Sequence, residues 1–347
     1  MSPKVAVLGA GAWGTALAKT LAESHDEPVV LWSRNRELCN AVNTTRENAR
    51  YLSGVLLPSN LSCDTDLARS LSGATVVVFA VPSQAVREVA RGSASHLHPD
   101  ACIVNATKGI ESESLLFMDE LLATELPDTV RHRIASLSGP SFAKELAERL
   151  PTAVVVAARD ASVRSRVMRR LRTDYLRTYG SEDVAGVECG GALKNVIAIA
   201  AGGVDGIGLG YNARAALITR GLAEIVRLAS ARGGSSLTLA GLAGVGDLVL
   251  TCTSELSRNR TVGYELGRGR DLASVLESLG HVAEGVGTAK SAFALAGRLG
   301  VDMPITREVY QVLYEGKPVS RAMHDLTSRA PGPEFDPRAV ARATLRP

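Results

Sequence analysis

The stretch KVAVLGAGAWGTALAKTLAES, residues 4 to 24, constrains this chain more than any other. KVAVLG (4–9) reads as a strand that is apolar on both faces. GAGAWG, Gly9 to Gly14, then supplies the spacing G-x-G-x-x-G, and a helical pattern follows over 12–24. Glycines at that spacing also occur in ordinary turns, so the context carries the reading: a strand directly before and a helix directly after. There Gly9 makes the tight turn, Gly11 lets the backbone approach a pyrophosphate, and Gly14 lets the helix pack close. The helix N-terminus faces the phosphates.

The alternation continues for half the chain. Strand candidates are PVVLW (28–32), TVVVFAVP (75–82), CIVNATK (102–108), IASLSG (134–139), TAVVVAA (152–158) and YLRTY (175–179). Helical patterns at 84–95, 113–125 and 160–172 lie between them. Several of the runs lack a solvent face, as strands covered on both sides do. The fold class expected is α/β, with an N-terminal Rossmann-like, mostly parallel doubly wound sheet. Past residue 180 helical patterns take over, at 184–201, 212–232, 258–268, 286–299 and 304–315, so the C-terminal domain is expected to be all-α. We place a dinucleotide-binding domain at 1–182, where Ser181-Glu182-Asp183 is a candidate helix cap. A helical domain follows at 183–330 and a loosely held, proline-broken tail at 331–347.

Composition narrows the partners. At 347 residues the chain is long enough for two domains with real cores. A net charge of +3 is too mild to argue for nucleic acid or an anionic membrane, and it suits a small anionic substrate. Five scattered cysteines without a CxxC pair suggest neither a disulfide framework nor a thiolate metal site, so no metal is expected and a reducing cytoplasm is the default. No signal-peptide pattern precedes the first strand, and no run reaches ~18 apolar residues, so no membrane span is expected.

An enzyme confined to NAD usually carries Asp or Glu about 20 residues past the glycines, on the ribose hydroxyls. Here the second strand ends in LWSRNR, and Ser33, Arg34 and Arg36 provide no such carboxylate. Arginine pairs with a 2′-phosphate through its planar fork, so NADP(H) is expected to be accepted beside NAD(H). Two solvated arginines at a helix start are the plainer alternative.

Reducing a ketone also requires a proton donor for its oxygen. The six histidines form no pattern like the His–Asp pair of lactate- and malate-type dehydrogenases. ECGGALKNVIAIAAGG (188–203) instead sets Lys194 and Asn195 in an apolar, glycine-flanked stretch. An ammonium there must reach water, pair, shift its pKa or do chemistry; a snorkelling side chain is the bland reading. Lys108, in NATKG at the end of a predicted strand, is a neighbouring cation able to draw that pKa down. SGPSFAKE (138–145) offers Gly139 and Ser141 ahead of a helix. GLAGVGDLVLTCTSELSRNR (241–260) offers Asp247 in an apolar setting, either for a substrate hydroxyl or to pair with Lys194. Ser257, Arg258, Asn259 and Arg260 then open a helix as a phosphate-binding set, unless they are a solvated helix cap.

These residues resemble the bacterial-type NAD(P)-dependent glycerol-3-phosphate dehydrogenases nearly end to end. The motifs that carry the resemblance are GAGAWGTALA, WSR, NARYLSGVLLP, VPS, ATKGIE, SGPSFAKE, GGALKNVIAIAAG, DGIGLGYNARAALITRGLAE, GVGDLVLTCTSELSRNR, VAEGVGTAK and MPITREVYQVLYEGK. The resemblance implies reversible NAD(P)H-dependent reduction of dihydroxyacetone phosphate to sn-glycerol 3-phosphate, the backbone of phospholipids, by a cytoplasmic homodimer that dimerises through its helical domain. It makes Lys194 the general acid in reduction and the general base in oxidation. It puts Lys108, Gly139, Ser141, Lys194, Asp247, Ser257, Arg258 and Asn259 on the substrate. Gly9, Gly11, Trp13, Gly14, Arg34, Arg36, Tyr51, Lys108, Ala143, Arg258, Val282 and Glu284 fall on the cofactor. Two departures stand out: Ala12 where many relatives carry serine, and Ser53 where relatives often have proline.

Overall fold

The computed structural model describes residues 4–280, 282–330 and 334. The expected tail therefore lies outside the described residues except for Glu334, as does His281. The chain forms two compact units. One comprises the described residues through Thr107 together with Met118–Val184; the other comprises Lys108–Phe117 and the described residues from Ala185 onward.

The first unit is built on strands β1 (Lys4–Leu8), β2 (Val29–Trp32), β3 (Glu47–Asn48), β4 (Leu52–Leu56), β5 (Leu61–Asp64), β6 (Ala74–Phe79), β7 (Cys102–Asn105), β8 (Ile134–Ser138), β9 (Thr152–Ala157) and β10 (Leu176–Ser181). Eight of them form one sheet in the order β10-β9-β8-β7-β6-β1-β2-β5, while β3 and β4 make a separate hairpin. All neighbours in the large sheet run parallel except β8 and β9. Val5, Ala6, Val7 and Leu8 are all buried, so β1 is covered on both faces, as its unbroken apolar run demands. The chain builds outward from β1 through β2 to β5, then returns to β6 on the other side. That reversal beside β1 is the point at which such sheets open a crevice for ligands.

Three differences from the sequence reading have physical causes. LSCD in β5 alternates apolar and polar residues at the sheet edge, so it lacks the continuous apolar signature of an inner strand. The helix expected over 113–125 covers only Met118–Glu125; the residues before it belong to an isolated bridge pairing Ile110 with Phe117. The NARYLSG stretch folds into the β3–β4 hairpin. It closes without a proline: Ser53 is exposed in β4, and Gly54 takes φ +78°.

The second unit is helical and centres on the helix Val184–Gly206. This helix is long and apolar enough to cross a membrane, but 89% of its most apolar window is buried inside the protein, which makes it a core helix. Its glycines are there for closeness. A Cβ on Gly202 would lie 1.9 Å from the Arg260 carbonyl oxygen, and one on Gly263 would lie 1.8 Å from that of Ile199. The helices Val184–Gly206 and Arg258–Gly267 thus meet backbone to backbone, a contact no larger residue permits.

Candidate active site

In the first unit the glycine turn sits at the C-terminal end of β1. Gly9 adopts φ +115°, and a Cβ there would press to 2.6 Å from the Ala80 carbonyl oxygen just beyond β6. A Cβ on Gly14 would overlap the Gly9 oxygen at 1.9 Å. Gly11 is different: nothing lies within 4 Å of a Cβ built on it. Two glycines are therefore required by packing, whereas the third borders open space. Gly11 also caps the helix Ala12–Ser24 without any side-chain hydrogen bond, so the N-terminal N–H groups are not covered by a capping side chain. Open space beside a helix N-terminus fits a pyrophosphate. The missing hydroxyl at Ala12 leaves these backbone features in place.

Trp13 is half-buried and donates its indole N–H to the Ala106 carbonyl at 3.1 Å. Tyr51, in the turn of the β3–β4 hairpin, packs against the core, with the Arg50 guanidinium 5.3 Å from its ring centroid. Past β2, Arg34 and Arg36 are exposed, and Arg34 makes only a loose 3.5 Å pairing with Glu88. Asp64, at the end of the adjacent β5, is held 2.7 Å from Arg69, so its carboxylate is already engaged. Gly139, with φ +132°, lies so close to β9 that its Cβ would touch the Val154 Cα at 3.0 Å. Ser141 donates its hydroxyl to the Gly139 carbonyl at 2.9 Å, and Ala143 begins a helix of only five residues.

In the second unit Lys194, Lys108 and Asp247 converge. A Cβ on Gly190 would meet the Ala243 carbonyl oxygen at 2.2 Å, so the two backbones touch there. One turn further along each segment come Lys194 and Asp247. Lys194 Nζ donates to Asp247 Oδ1 at 2.5 Å and to Thr251 Oγ1 at 2.8 Å, while Lys108 Nζ takes Asp247 Oδ2 at 2.5 Å. Asp247 has no solvent exposure, and Lys194 is buried. The snorkelling reading of Lys194 fails.

Burial pulls the Lys194 pKa down to about 8; Asp247 opposes the fall and Lys108 adds to it. Burial also works against the Asp247 carboxylate, yet the two ammoniums outweigh it and hold the pKa below the usual range. The result is an ammonium poised near neutrality beside an ion pair, suited to giving and taking a proton.

The SRNR set divides. Ser257 caps the helix Arg258–Gly267 through the Arg260 N–H. Arg260 turns away to Asp205 at 2.7 Å, which Arg214 also grips, so it drops out of the phosphate set. Asn259 donates to Asn195 Oδ1 and accepts the Gly285 N–H, both at 2.9 Å, tying the residue after Lys194 to the start of the helix Glu284–Leu299. Arg258 is solvent-accessible, yet enough protein surrounds it that desolvation lowers its pKa, with the Glu284 charge opposing. Glu284 is half-buried and Val282 exposed. Thr251 escaped the sequence reading; its signal was the i, i+4 spacing from Asp247, which became usable once the helix Asp247–Thr253 was known.

A glycine-turn nucleotide cradle and a buried, pKa-lowered lysine define a dinucleotide-dependent dehydrogenase. Residues 4–164 match the NAD-dependent glycerol-3-phosphate dehydrogenase N-terminus family, and residues 183–324 match the corresponding C-terminus family. The chain is 51% identical over 334 residues to a glycerol-3-phosphate dehydrogenase (NAD(P)+) of Geobacter metallireducens, covering 96% of this chain and 99% of that one. It is 51% identical to the enzyme of that name from Myxococcus xanthus, covering 95% of this chain and 98% of the other. The crystal structure of glycerol-3-phosphate dehydrogenase from Coxiella burnetii superimposes with a TM-score of 0.90 at 40% identity, covering 94% of this chain and 99% of that one. The chain belongs to the NAD-dependent glycerol-3-phosphate dehydrogenase family.

Proposed function

We propose that this chain catalyses the reversible, NAD(P)H-dependent reduction of dihydroxyacetone phosphate to sn-glycerol 3-phosphate for glycerophospholipid synthesis, with Lys194 as the proton donor. The observation that carries this reading is the ammonium of Lys194, held against Asp247 and drawn toward neutrality by its burial, with Lys108 adding to the fall. The turn Gly9–Gly14 with Trp13, Tyr51, Ala143 and Arg34 or Arg36 holds the dinucleotide, joined by Lys108, Arg258, Val282 and Glu284. When bound, the nicotinamide supplies a hydride to C2 of the ketone. Lys194 gives its proton to the C2 oxygen in reduction and takes it back in oxidation. Arg258, Ser257 and Lys108 hold the phosphate, so binding energy remote from the reacting carbon orients it. Gly139 and Ser141 contribute a turn of small residues to the substrate, and Asn259 acts by fixing Asn195.

We further assign the protein to the cytoplasm as a homodimer. The five described cysteines, none of them in a disulfide, support the first assignment. Exposed Leu209 and Tyr211 at the start of the helix Gly210–Ala231 support the second.

The test is steady-state reduction of dihydroxyacetone phosphate with NADPH and with NADH, run beside Lys194→Met. The unaltered chain turns over, and the variant loses roughly 10²- to 10⁴-fold in kcat, the usual worth of a placed acid–base group. A variant that kept most of its turnover would remove Lys194 from the chemistry.

A further inference from the structure

Asn48 lies 34 residues past the last glycine of the nucleotide turn, in a two-residue strand, yet only 2% of it is exposed. Its position follows from the elements around it. Asn35 caps the helix Arg36–Thr45, which ends at Arg46 in the left-handed conformation, and the reversed chain then enters β3. There the carboxamide Nδ2 of Asn48 donates both its hydrogens into the nucleotide turn. One goes to the Ala10 carbonyl at 2.9 Å and the other to Thr15 Oγ1 at 2.8 Å.

The Ala10 carbonyl is the informative partner. It shares one rigid peptide plane with the Gly11 N–H, and in a trans peptide the two bonds point in opposite directions. Holding the oxygen inward against Asn48 turns the Gly11 N–H away from Asn48. Gly11 is also the glycine beside open space. The other end of the turn is pinned separately: Gly9 N–H donates to the Trp32 carbonyl at 3.0 Å, and Thr15 N–H donates to the Gly11 carbonyl at 2.9 Å. The Ala10–Gly11 peptide lies between these pinned planes, and the Asn48 donor holds its carbonyl. A second observation supports a role beyond packing. Among the described residues the Asn48 Oδ1 is buried with no hydrogen-bond partner. A leucine of similar shape would avoid that desolvation cost, so the amide is worth its burial only through what its nitrogen donates.

We propose that Asn48 is a positioning residue for the dinucleotide: by gripping the Ala10 carbonyl it presets the Gly11 N–H toward the pyrophosphate. The inference rests on the reading that the glycine turn holds NAD(P)H. Asn48 Nδ2 bonds the backbone of the turn and Thr15 rather than a residue of the Lys194 ion-pair cluster, so its removal separates cofactor affinity from chemistry.

The experiment titrates NADPH into the full-length protein by nucleotide fluorescence, without dihydroxyacetone phosphate, for the unaltered chain, Asn48→Leu, Asn48→Asp and Thr15→Val. Asn48→Leu and Asn48→Asp both remove the donors; each weakens NADPH binding by roughly tenfold or more. The KM for NADPH rises in step, while the KM for dihydroxyacetone phosphate and the kcat at saturating cofactor stay near their starting values. Thr15→Val removes one acceptor but leaves the Ala10 contact, and it weakens binding by less than either Asn48 variant. Folding is checked by thermal melts, and Asn48→Asp, the closest isostere, carries the test if Asn48→Leu does not fold. Undiminished NADPH binding by the folded Asn48 variants overturns the role of Asn48. Equal weakening by Thr15→Val overturns it in favour of plain packing. Failure of the unaltered chain to bind NADPH at all overturns the cofactor reading itself.

Discussion

Asp247→Asn separates charge from position in the proposed acid–base site. The carboxylate holds Lys194 on one oxygen and Lys108 on the other, each at 2.5 Å, in a place without solvent. Asparagine keeps the shape and one acceptor but leaves two ammoniums beside each other without a counter-charge. Breaking a buried pair from one side costs about 3–5 kcal/mol, which corresponds to ~2–3.5 pKa units. The sign is downward, because only the charged form of lysine loses its partner. Lys194, drawn down to about 8 in the unaltered chain, falls to ~6 or below. Reduction needs the ammonium. At pH 8 the protonated fraction drops from about one half to about one hundredth, whereas at pH 6 it drops only about twofold. The assay is kcat/KM for dihydroxyacetone phosphate at saturating NADPH across pH 5.5 to 9.5, with melts as the folding check. The alkaline limb of reduction moves from about 8 to ~6 or lower, and glycerol 3-phosphate oxidation, which needs the free amine, gains its rising limb at the same lower pH. A uniform loss at every pH, with the limb still near 8, would refute the electrostatic argument and leave Asp247 a purely steric role.

Three further outcomes test the other assignments. Arg258→Ala loses a charge-assisted contact of about 1.5–3 kcal/mol, so kcat/KM for dihydroxyacetone phosphate falls roughly 10- to 100-fold; an unchanged value places the phosphate elsewhere. Arg34→Glu replaces an exposed guanidinium with a carboxylate, so the KM for NADPH rises roughly tenfold while that for NADH holds, and equal shifts would deny Arg34 a part in reading the 2′-phosphate. Gly14→Ala drives a methyl group to 1.9 Å from the Gly9 oxygen; it destabilises the fold by about 3 kcal/mol or prevents folding, and a melting curve that matches the unaltered chain would contradict the packing argument.

The nucleotide turn was legible because its causes are local. Strand, glycines and helix are contiguous; Gly14 answers to Gly9 in the same segment and Gly9 to Ala80 just past the adjoining strand, while Gly11 borders open space. The proton donor was legible as an anomaly, a cation where the pattern is apolar, but its partners were not fixed by spacing. Lys108 and Asp247 are 139 residues apart in sequence and meet on one carboxylate only in the folded unit. Arg260 shows the converse. In sequence it belonged with Arg258, and only the half-buried Asp205 draws it away. Asn48 was invisible for the same reason, since nothing in its spacing points to Ala10.

Glycine placement explains why these distant residues register at all. Gly190 lets the core helix touch the backbone at Ala243, and the segment there is a π-helical turn, Leu242–Gly246, that runs straight into the helix Asp247–Thr253. Lys194 and Asp247 each follow that contact by four residues, so a 2.5 Å ion pair is set by backbone approach rather than by two flexible side chains finding each other. The Asn195–Asn259–Gly285 contacts fix the opposite flank in the same manner, because a Cβ on Gly285 would collide with the Asn195 carbonyl oxygen at 2.6 Å. A proton donor held this way reorganises little when its charge changes. Its pKa is then governed by the charges around it, and in the proposed site a phosphate dianion held at Arg258 and Lys108 would raise the affinity of Lys194 for its proton when the ketone arrives. On that proposal the substrate would charge the acid that protonates its C2 oxygen, and release of the phosphorylated product would let the pKa relax toward its value in the empty site.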